Sequence, residues 1–191
     1  MNQVAPFENH TAEYEAWFEE YEYVFQSEIL ALSEQLNQLP ENIHGIQVGI
    51  GTGRYAIPLG IKEGIEPSEN MRNLAIKKGL ETMDAVAENL PYKDLHFDFV
   101  LFATIEHLDN VREAFKDAYR VLKPNGSIIV GFIDKTSSIG KQYEQKKSKS
   151  TFYKHAVLYD VEKVQELLKE AGFKNLVFMQ TLFGELDSIK E

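Results

Sequence analysis

The chain has 191 residues, no cysteine, and 20 basic against 30 acidic residues, which gives a formal net charge of −10. This length predicts one domain with a substantial core, and the charge repels phosphate backbones and anionic lipid, so neither nucleic acid nor a membrane is an expected partner. The missing cysteines exclude disulfides, thiolate catalysis and Cys-based zinc sites, and no metal site is predicted. No run approaches the roughly 20 apolar residues of a membrane span, and the N-terminus is unlike a signal peptide, so a cytoplasmic location is expected.

The N-terminal region carries aromatic and aliphatic side chains at three- and four-residue steps between residues 7 and 39. That spacing predicts one or two amphipathic helices before the first strand. A stripe of this kind ordinarily faces a core. The alternative is that Tyr14 and Trp17 lie over a ligand pocket as an aromatic cover.

The run Ile-Gln-Val-Gly-Ile-Gly-Thr-Gly-Arg at residues 46–54 is the most informative stretch. It predicts a first strand followed by a ligand-binding turn, because glycines at alternate positions allow positive φ and close approach to backbone N–H groups. The dinucleotide pattern counted from Gly49 requires a small residue where the chain has Arg54, although counted from Gly51 it ends acceptably at Ala56. That pattern is weakened and stays open, whereas the phosphate loop that ends in Lys and Ser/Thr is absent.

Glu66 is the last residue of a short predicted strand at residues 64–66, somewhat under 20 positions after Gly49. In nucleotide-binding α/β folds an acidic residue near this spacing accepts hydrogen bonds from ribose hydroxyls. The alternative is an exposed glutamate in a solvated turn before Pro67. A crossover helix is predicted at residues 54–61, and Ser68 is a suitable N-cap for a helix over residues 69–78.

The rest of the chain continues the alternation of strands and helices. The apolar run at residues 97–103 is typical of a central parallel strand and delivers residues 104–108 to the ligand-binding edge of the sheet. The other predicted elements are strands at 81–87, 127–132 and 173–182 and helices at 111–122 and 160–171. Residues 134–159 are a long lysine- and aromatic-containing segment between a strand and a helix, which is more often functional than idle.

This order of elements resembles the class I S-adenosylmethionine-dependent methyltransferase family over about residues 10–183. The resemblance rests on Val-Gly-Ile-Gly-Thr-Gly at 48–53, Ile-Glu-Pro-Ser at 65–68, Ala-Glu-Asn-Leu-Pro at 87–91 and Tyr-Arg-Val-Leu-Lys-Pro-Asn-Gly at 119–126. It implies a doubly wound, mostly parallel, Rossmann-like α/β sheet with helices on both faces and an N-terminal helical cover. The single domain would comprise the cover (1–42), a cofactor-binding core (43–133), a lid or substrate segment (134–159) and a C-terminal helix and strand (160–191).

The resemblance also implies a cofactor, S-adenosylmethionine, with S-adenosylhomocysteine as product and a small molecule as methyl acceptor. The glycine turn would face its methionine part, Glu66 would hold the ribose, and the fourth strand would approach the sulfonium. The implied cofactor-binding residues are Tyr14, Trp17, Gly49, Ile50, Gly51, Thr52, Gly53, Glu66, Pro67, Ser68, Met71, Ala87, Glu88, Ala103 and Thr104.

Methyl transfer by in-line displacement requires mainly that donor and acceptor be held in contact and water excluded. If a base is needed, His107 is the candidate, because an unperturbed imidazole has a pKa of about 6.5, and Glu106 would orient His107 or the substrate. Tyr153 and His155 are weaker candidates. The alternative for His107 is an ordinary loop histidine.

Three features depart from the family pattern. Gln47 stands where an acidic residue is usual, Val86 replaces a frequent aspartate, and the usual last antiparallel strand is missing. The sheet would then be one strand short or completed by another chain, which leaves self-association open. A non-catalytic cofactor-binding module and a nicotinamide-dependent oxidoreductase remain as alternatives, although Arg54 and the downstream motifs count against the second.

Overall fold

The structure is a computed structural model and describes residues 3–189. A five-stranded, all-parallel sheet has the order β3-β2-β1-β4-β5. The strands are β1 (Gly45–Val48), β2 (Glu63–Ile65), β3 (Glu81–Met83), β4 (Phe97–Phe102) and β5 (Leu122–Val130). The helices are α1 (Ala5–Asn9), α2 (Thr11–Glu20), α3 (Glu22–Leu36), α4 (Glu69–Lys77), α5 (Val111–Val121), α6 (Ser138–Lys146) and α7 (Val161–Ala171).

Both faces of the sheet carry a hydrophobic core, which confirms the predicted doubly wound α/β fold. Along β4, Val100 and Phe102 pack into a core with α5 and α7. The alternate residues Phe99 and Leu101 pack into a second core, to which α2, α3 and α4 contribute. Successive side chains of a strand point to opposite faces, so a strand covered on both sides reads as a continuous apolar run.

The register of the central strands aligns their carboxyl ends. Val48 at the end of β1 pairs with Ile65 of β2 and with Phe102 of β4. The residues that follow these strands, Gly49, Glu66 and Ala103, therefore emerge at one edge of the sheet. This is the edge at which open α/β sheets bind ligands.

Two predicted elements are wrong. Residues 54–61 form successive turns instead of a helix, because Pro58 has no N–H to donate and the segment ends at Gly60 with a φ of 71°. Residues 173–182, predicted as a strand from their apolar content, form no strand, so in the described chain the sheet ends at β5. A β-favouring sequence becomes a strand only where a neighbour supplies the hydrogen-bond ladder.

Other boundaries shift. β3 ends at Met83 rather than at 87, and β5 begins at Leu122 rather than at 127. The segment 134–159 contains α6 and two 3-10 turns, Lys147–Lys149 and Tyr153–His155. Among residues 3–189, no helix combines the length and apolarity that a membrane crossing requires.

Candidate functional site

The glycine turn after β1 adopts the backbone conformation that its composition predicts. Gly49, Gly51 and Gly53 have φ values of 68°, 58° and 87°, a region that other L-residues rarely occupy. A β-carbon at Gly51 would lie 3.2 Å from the Tyr14 hydroxyl and 3.3 Å from Cε of Met71, whereas one at Gly49 would meet no atom within 4 Å. The turn is therefore open at Gly49 and closely covered at Gly51.

Glu66 is buried and is held by the turn itself. Its Oε2 accepts the N–H of Gly51 at 2.9 Å, and its Oε1 accepts the N–H of Ser68 at 2.9 Å. Burial raises the pKa of Glu66 to about 7, although the two backbone donors favour its charged form. A carboxylate has about four lone-pair positions, so each oxygen can accept a further hydrogen bond from a diol.

A cavity of about 900 Å³ opens at this edge of the sheet. That volume lies near the upper end of the roughly 300–1,000 Å³ typical of small-molecule sites. The sequence-predicted site residues that line it are Tyr14, Trp17, Gly49, Gly51, Glu66, Pro67, Met71, Ala87, Glu88, Ala103, Thr104 and His107. The structure thus brings together residues from β1, β2, β4 and the N-terminal helices around one space.

The N-terminal helices cover this cavity, and Glu15 of α2 ties them to the glycine turn. Its carboxylate accepts the Thr52 hydroxyl, pairs with Nη2 of Arg54 at 2.8 Å and lies 3.5 Å from Nζ of Lys78. Burial opposes its ionisation, but these hydrogen bonds and charges outweigh burial and lower the pKa of Glu15. Arg54, the residue that departs from the dinucleotide pattern, therefore binds α2 through Glu15. This contact holds Tyr14 and Trp17 of α2 over the site.

The remaining residues of the predicted cofactor set do not line the cavity. Ile50 packs into the second core, Thr52 is bound to Glu15, and Gly53 lies against Leu80. The Ser68 hydroxyl accepts the N–H of Met71 as the cap of α4 and donates to Glu8 of α1. These four residues are placed to shape the turn and to hold α4 and the cover rather than to touch a ligand in the cavity.

His107 faces the cavity between the rings of Phe7 and Tyr153, with centroid distances of 4.9 and 5.0 Å. Its Nδ1 is buried and has no hydrogen-bond partner among the described residues. Burial lowers the pKa of His107 to about 4, so the ring is neutral at physiological pH. A neutral imidazole with an unpaired nitrogen can form a hydrogen bond to a bound molecule. His155, by contrast, does not line the cavity.

Glu106 does not have the role predicted for it. Its carboxylate accepts the N–H of Ile105 at 3.1 Å and of Ile133 at 2.5 Å, and the residue is fully buried away from the cavity lining. Burial raises its pKa to about 7. Because the Nδ1 of His107 is unpaired, Glu106 does not orient that ring through it; it links the loop after β4 to the chain after β5.

Sequence reasoning missed Glu28 of α3. This partly buried carboxylate lines the cavity and accepts the Tyr55 hydroxyl at 2.6 Å, and burial raises its pKa to about 7. A signal was present: Glu28 lies three residues after Phe25 and four before Leu32, so it interrupts the apolar face of its helix.

Two of the three departures from the family pattern, Gln47 and Val86, lie at the site. Gln47 is buried in β1, its Nε2 donates to the carbonyl of Gly49 at 3.3 Å, and its Oε1 has no partner among the described residues. Val86 lines the cavity and is half-exposed. An unpaired acceptor next to the glycine turn fits a ligand that brings an N–H donor there.

Comparison with known proteins gives consistent matches. A family model described as "Methyltransferase domain" matches residues 46–130. The uncharacterized protein MJ1123 of Methanocaldococcus jannaschii is 44% identical over 184 residues, which cover 96% of this chain and 88% of that protein. Phosphoethanolamine N-methyltransferase 1 of Zea mays is 29% identical over 180 residues, which cover 83% of this chain and 34% of that protein.

Among solved structures, a chain from Thermotoga maritima is similar with a TM-score of 0.83 and 41% sequence identity. The match covers 90% of this chain and 81% of that one. That structure is described as a SAM-dependent methyltransferase and a possible histamine N-methyltransferase.

Proposed function

Because the chain belongs to the family of class I S-adenosylmethionine-dependent methyltransferases, we propose that it transfers a methyl group to a small-molecule acceptor bound in the cavity. The observation that carries the proposal is the Glu66 carboxylate, fixed by two backbone N–H groups at the end of β2 and facing the cavity beside the glycine turn. S-adenosylmethionine, when bound, supplies an electrophilic methyl group.

The residues present fit this cofactor. Glu66 has free lone pairs for the two ribose hydroxyls, and Gln47 offers an unpaired acceptor for the amino group of the methionine part. The open backbone at Gly49 leaves room for that part. Other lining residues would form the adenine side of the site (Pro67, Met71, Ala87 and Glu88) or approach the reacting centre (Ala103 and Thr104).

The protein's own contribution would be to orient the acceptor and exclude water. The aromatic cover over the cavity, anchored through Glu15, excludes water. His107 orients the acceptor, because it is neutral, lines the cavity and has an unpaired nitrogen that accepts a hydrogen bond, or a proton, from the acceptor. With its pKa near 4 it would be a weak base, so we assign it mainly to orientation.

Relatives do not decide the acceptor. Two of them carry names that refer to amines, phosphoethanolamine and histamine, and only one of these bears a phosphate. Residues 134–159 supply Tyr143, Phe152 and Tyr153 to the cavity, so this segment is proposed as the substrate lid.

Calorimetric titration and methyl-transfer assays together test the proposal. S-adenosylhomocysteine should bind the purified chain and NADH should not, whereas the reverse would favour an oxidoreductase. With methyl-labelled cofactor and a metabolite mixture, label should appear in a small molecule. Binding without any transfer would instead indicate a non-catalytic module, and no binding of S-adenosylhomocysteine would contradict the assignment altogether.

A further inference from the structure

The cavity is lined by charges of predominantly one sign. Five carboxylates and a single lysine are among its described lining residues: Glu28, Glu66, Glu88, Asp109, Asp134 and Lys174. His107 is neutral and does not offset the negative charge. A lining of this kind attracts cations and disfavours ligands whose net charge is negative.

Glu28 is one of the carboxylates in this lining to which the cofactor gives no role. Glu66 is assigned to the ribose, whereas Glu28 comes from α3 and touches Tyr55. In the part of the chain that the structure describes, no lysine, arginine or histidine forms an ion pair with Glu28. The negative charge of Glu106 acts on it instead and opposes its ionisation further. A carboxylate in such a place is stabilised in its charged form by a cation that enters the cavity, and otherwise tends to take up a proton.

Aromatic rings also line the cavity. Tyr143 and Tyr153 line the cavity with their ring centroids 4.4 Å apart, and Tyr153 also contacts His107. Burial raises the pKa of Tyr143, and the charge of Glu28 raises it further, so this ring is within electrostatic reach of the carboxylate. A carboxylate combined with aromatic faces is a binding environment for an ammonium group, which is attracted to both.

We propose that the methyl acceptor is an amine without phosphate or carboxylate groups, and that Glu28 binds its ammonium group between α3 and the rings of Tyr143 in α6 and Tyr153 in the second 3-10 turn. Tyr55 holds the carboxylate in place through its hydroxyl, and the unpaired Nδ1 of His107 is available to a second polar group of the acceptor. This inference rests on the proposed methyltransferase function, since it concerns the acceptor part of the same cavity.

The test measures binding by calorimetry in the presence of saturating S-adenosylhomocysteine. The probes are a panel of primary and secondary amines, each paired with the alcohol of the same carbon skeleton and with the corresponding carboxylate and phosphate. The variants are Glu28→Gln, which keeps an acceptor for the Tyr55 hydroxyl, and Glu34→Gln, an exposed position on the same helix, as the matched control.

At least one amine should bind the unmodified protein about tenfold or more tightly than its alcohol, while the carboxylates and phosphates should not bind. Glu28→Gln should remove that preference and leave the affinity for S-adenosylhomocysteine within about twofold, and Glu34→Gln should change neither. If no amine is preferred over its alcohol, or if Glu28→Gln retains the preference, the inference is wrong. Because the first comparison uses only the unmodified protein, it does not depend on the folding of a variant. Failure of S-adenosylhomocysteine to bind would instead overturn the proposed function itself.

Discussion

Replacement of Glu66 by glutamine tests the central assignment most directly. The carboxylate accepts one backbone N–H on each oxygen and would accept one ribose hydroxyl on each. Glutamine removes the charge and turns one acceptor into a donor. A hydrogen bond to a charged group contributes about 1.5–3 kcal/mol, so a loss of about 2–3 kcal/mol is expected, which corresponds to roughly 30- to 150-fold weaker binding of S-adenosylhomocysteine.

The pH dependence provides a second, independent measure. The pKa of Glu66 is about 7 because the group is buried, and only its ionised form accepts both hydroxyls. The affinity of the unmodified protein for S-adenosylhomocysteine should therefore fall as the pH drops below 7, by about tenfold for each further pH unit. In Glu66→Gln the slope of log affinity against pH should be smaller by about one, because one proton no longer competes with the ligand. Glu28 and Glu106 also titrate near 7, so the informative quantity is the difference between the two slopes.

A loss of affinity in Glu66→Gln should not arise from a less stable fold. Folding raises the pKa of Glu66 from the ordinary glutamate value of 4.5 to about 7. The stability that this group contributes is therefore complete below pH 4.5 and is lost as the pH rises through 7. Removing the buried charge therefore raises the free energy of unfolding of the variant at pH 8. This gain offsets the cost of leaving one backbone N–H without its acceptor. Glu81→Gln, an exposed carboxyl on the neighbouring strand β3, is the matched control. Calorimetry that gives Glu66→Gln an affinity within threefold of the unmodified protein, with the same pH slope, would refute the reasoning.

Two further predictions concern the cover and the acceptor side. His107→Ala should lower turnover by up to about 100-fold, because the acceptor loses a group that orients it, and should leave the affinity for S-adenosylhomocysteine unchanged. His155→Ala, off the cavity, should affect neither, and unchanged turnover in His107→Ala would remove that residue from the mechanism. Glu15→Gln should weaken S-adenosylhomocysteine binding by up to about fivefold, because it loses partly exposed ion pairs with Arg54 and Lys78 that hold α2 over the glycine turn. The exposed Glu13→Gln is its control, and equal affinities by calorimetry would show that the anchoring does not matter.

Much of the fold could be predicted because the relevant signals are local. The continuous apolar run of β4 and the alternate glycines after β1 each limit the backbone to few conformations, whatever the surroundings. Residues 54–61 and 173–182 could not be predicted in this way. A proline in the middle of the first segment removed a helical hydrogen bond, and the second segment has strand-forming residues but no strand beside it.

In the candidate site, too, the residues that could be predicted are those with a local signal. Glu66 could be placed from its separation in sequence from the glycine turn, because both follow strands that pair directly. Glu106 could not, since its exposure depends on Ile133, 27 residues away, whose N–H holds it. The sequence signal for Glu28, an interruption in the apolar face of α3, is weak, because a glutamate on a helix is normally solvated. Only the packing of α3 beside the cavity shows that this carboxylate is partly buried.

The buried acids link stability to selectivity. Burial raises the pKa of Glu28, Glu66 and Glu106 to about 7, so each one makes the ligand-free fold less stable as the pH rises through 7. A cation that enters the cavity opposes this loss of stability, because it favours the ionised form of the carboxyl groups that line the cavity. Its binding also stabilises the folded protein, by about 2.7 kcal/mol when the free cation is at a hundredfold excess over its dissociation constant. A neutral or anionic molecule of the same shape cannot favour the ionised form in this way. The desolvation that disfavours the charged forms of Glu28 and Glu66, the two of these acids that line the cavity, is therefore also the reason that the cavity should select positively charged molecules.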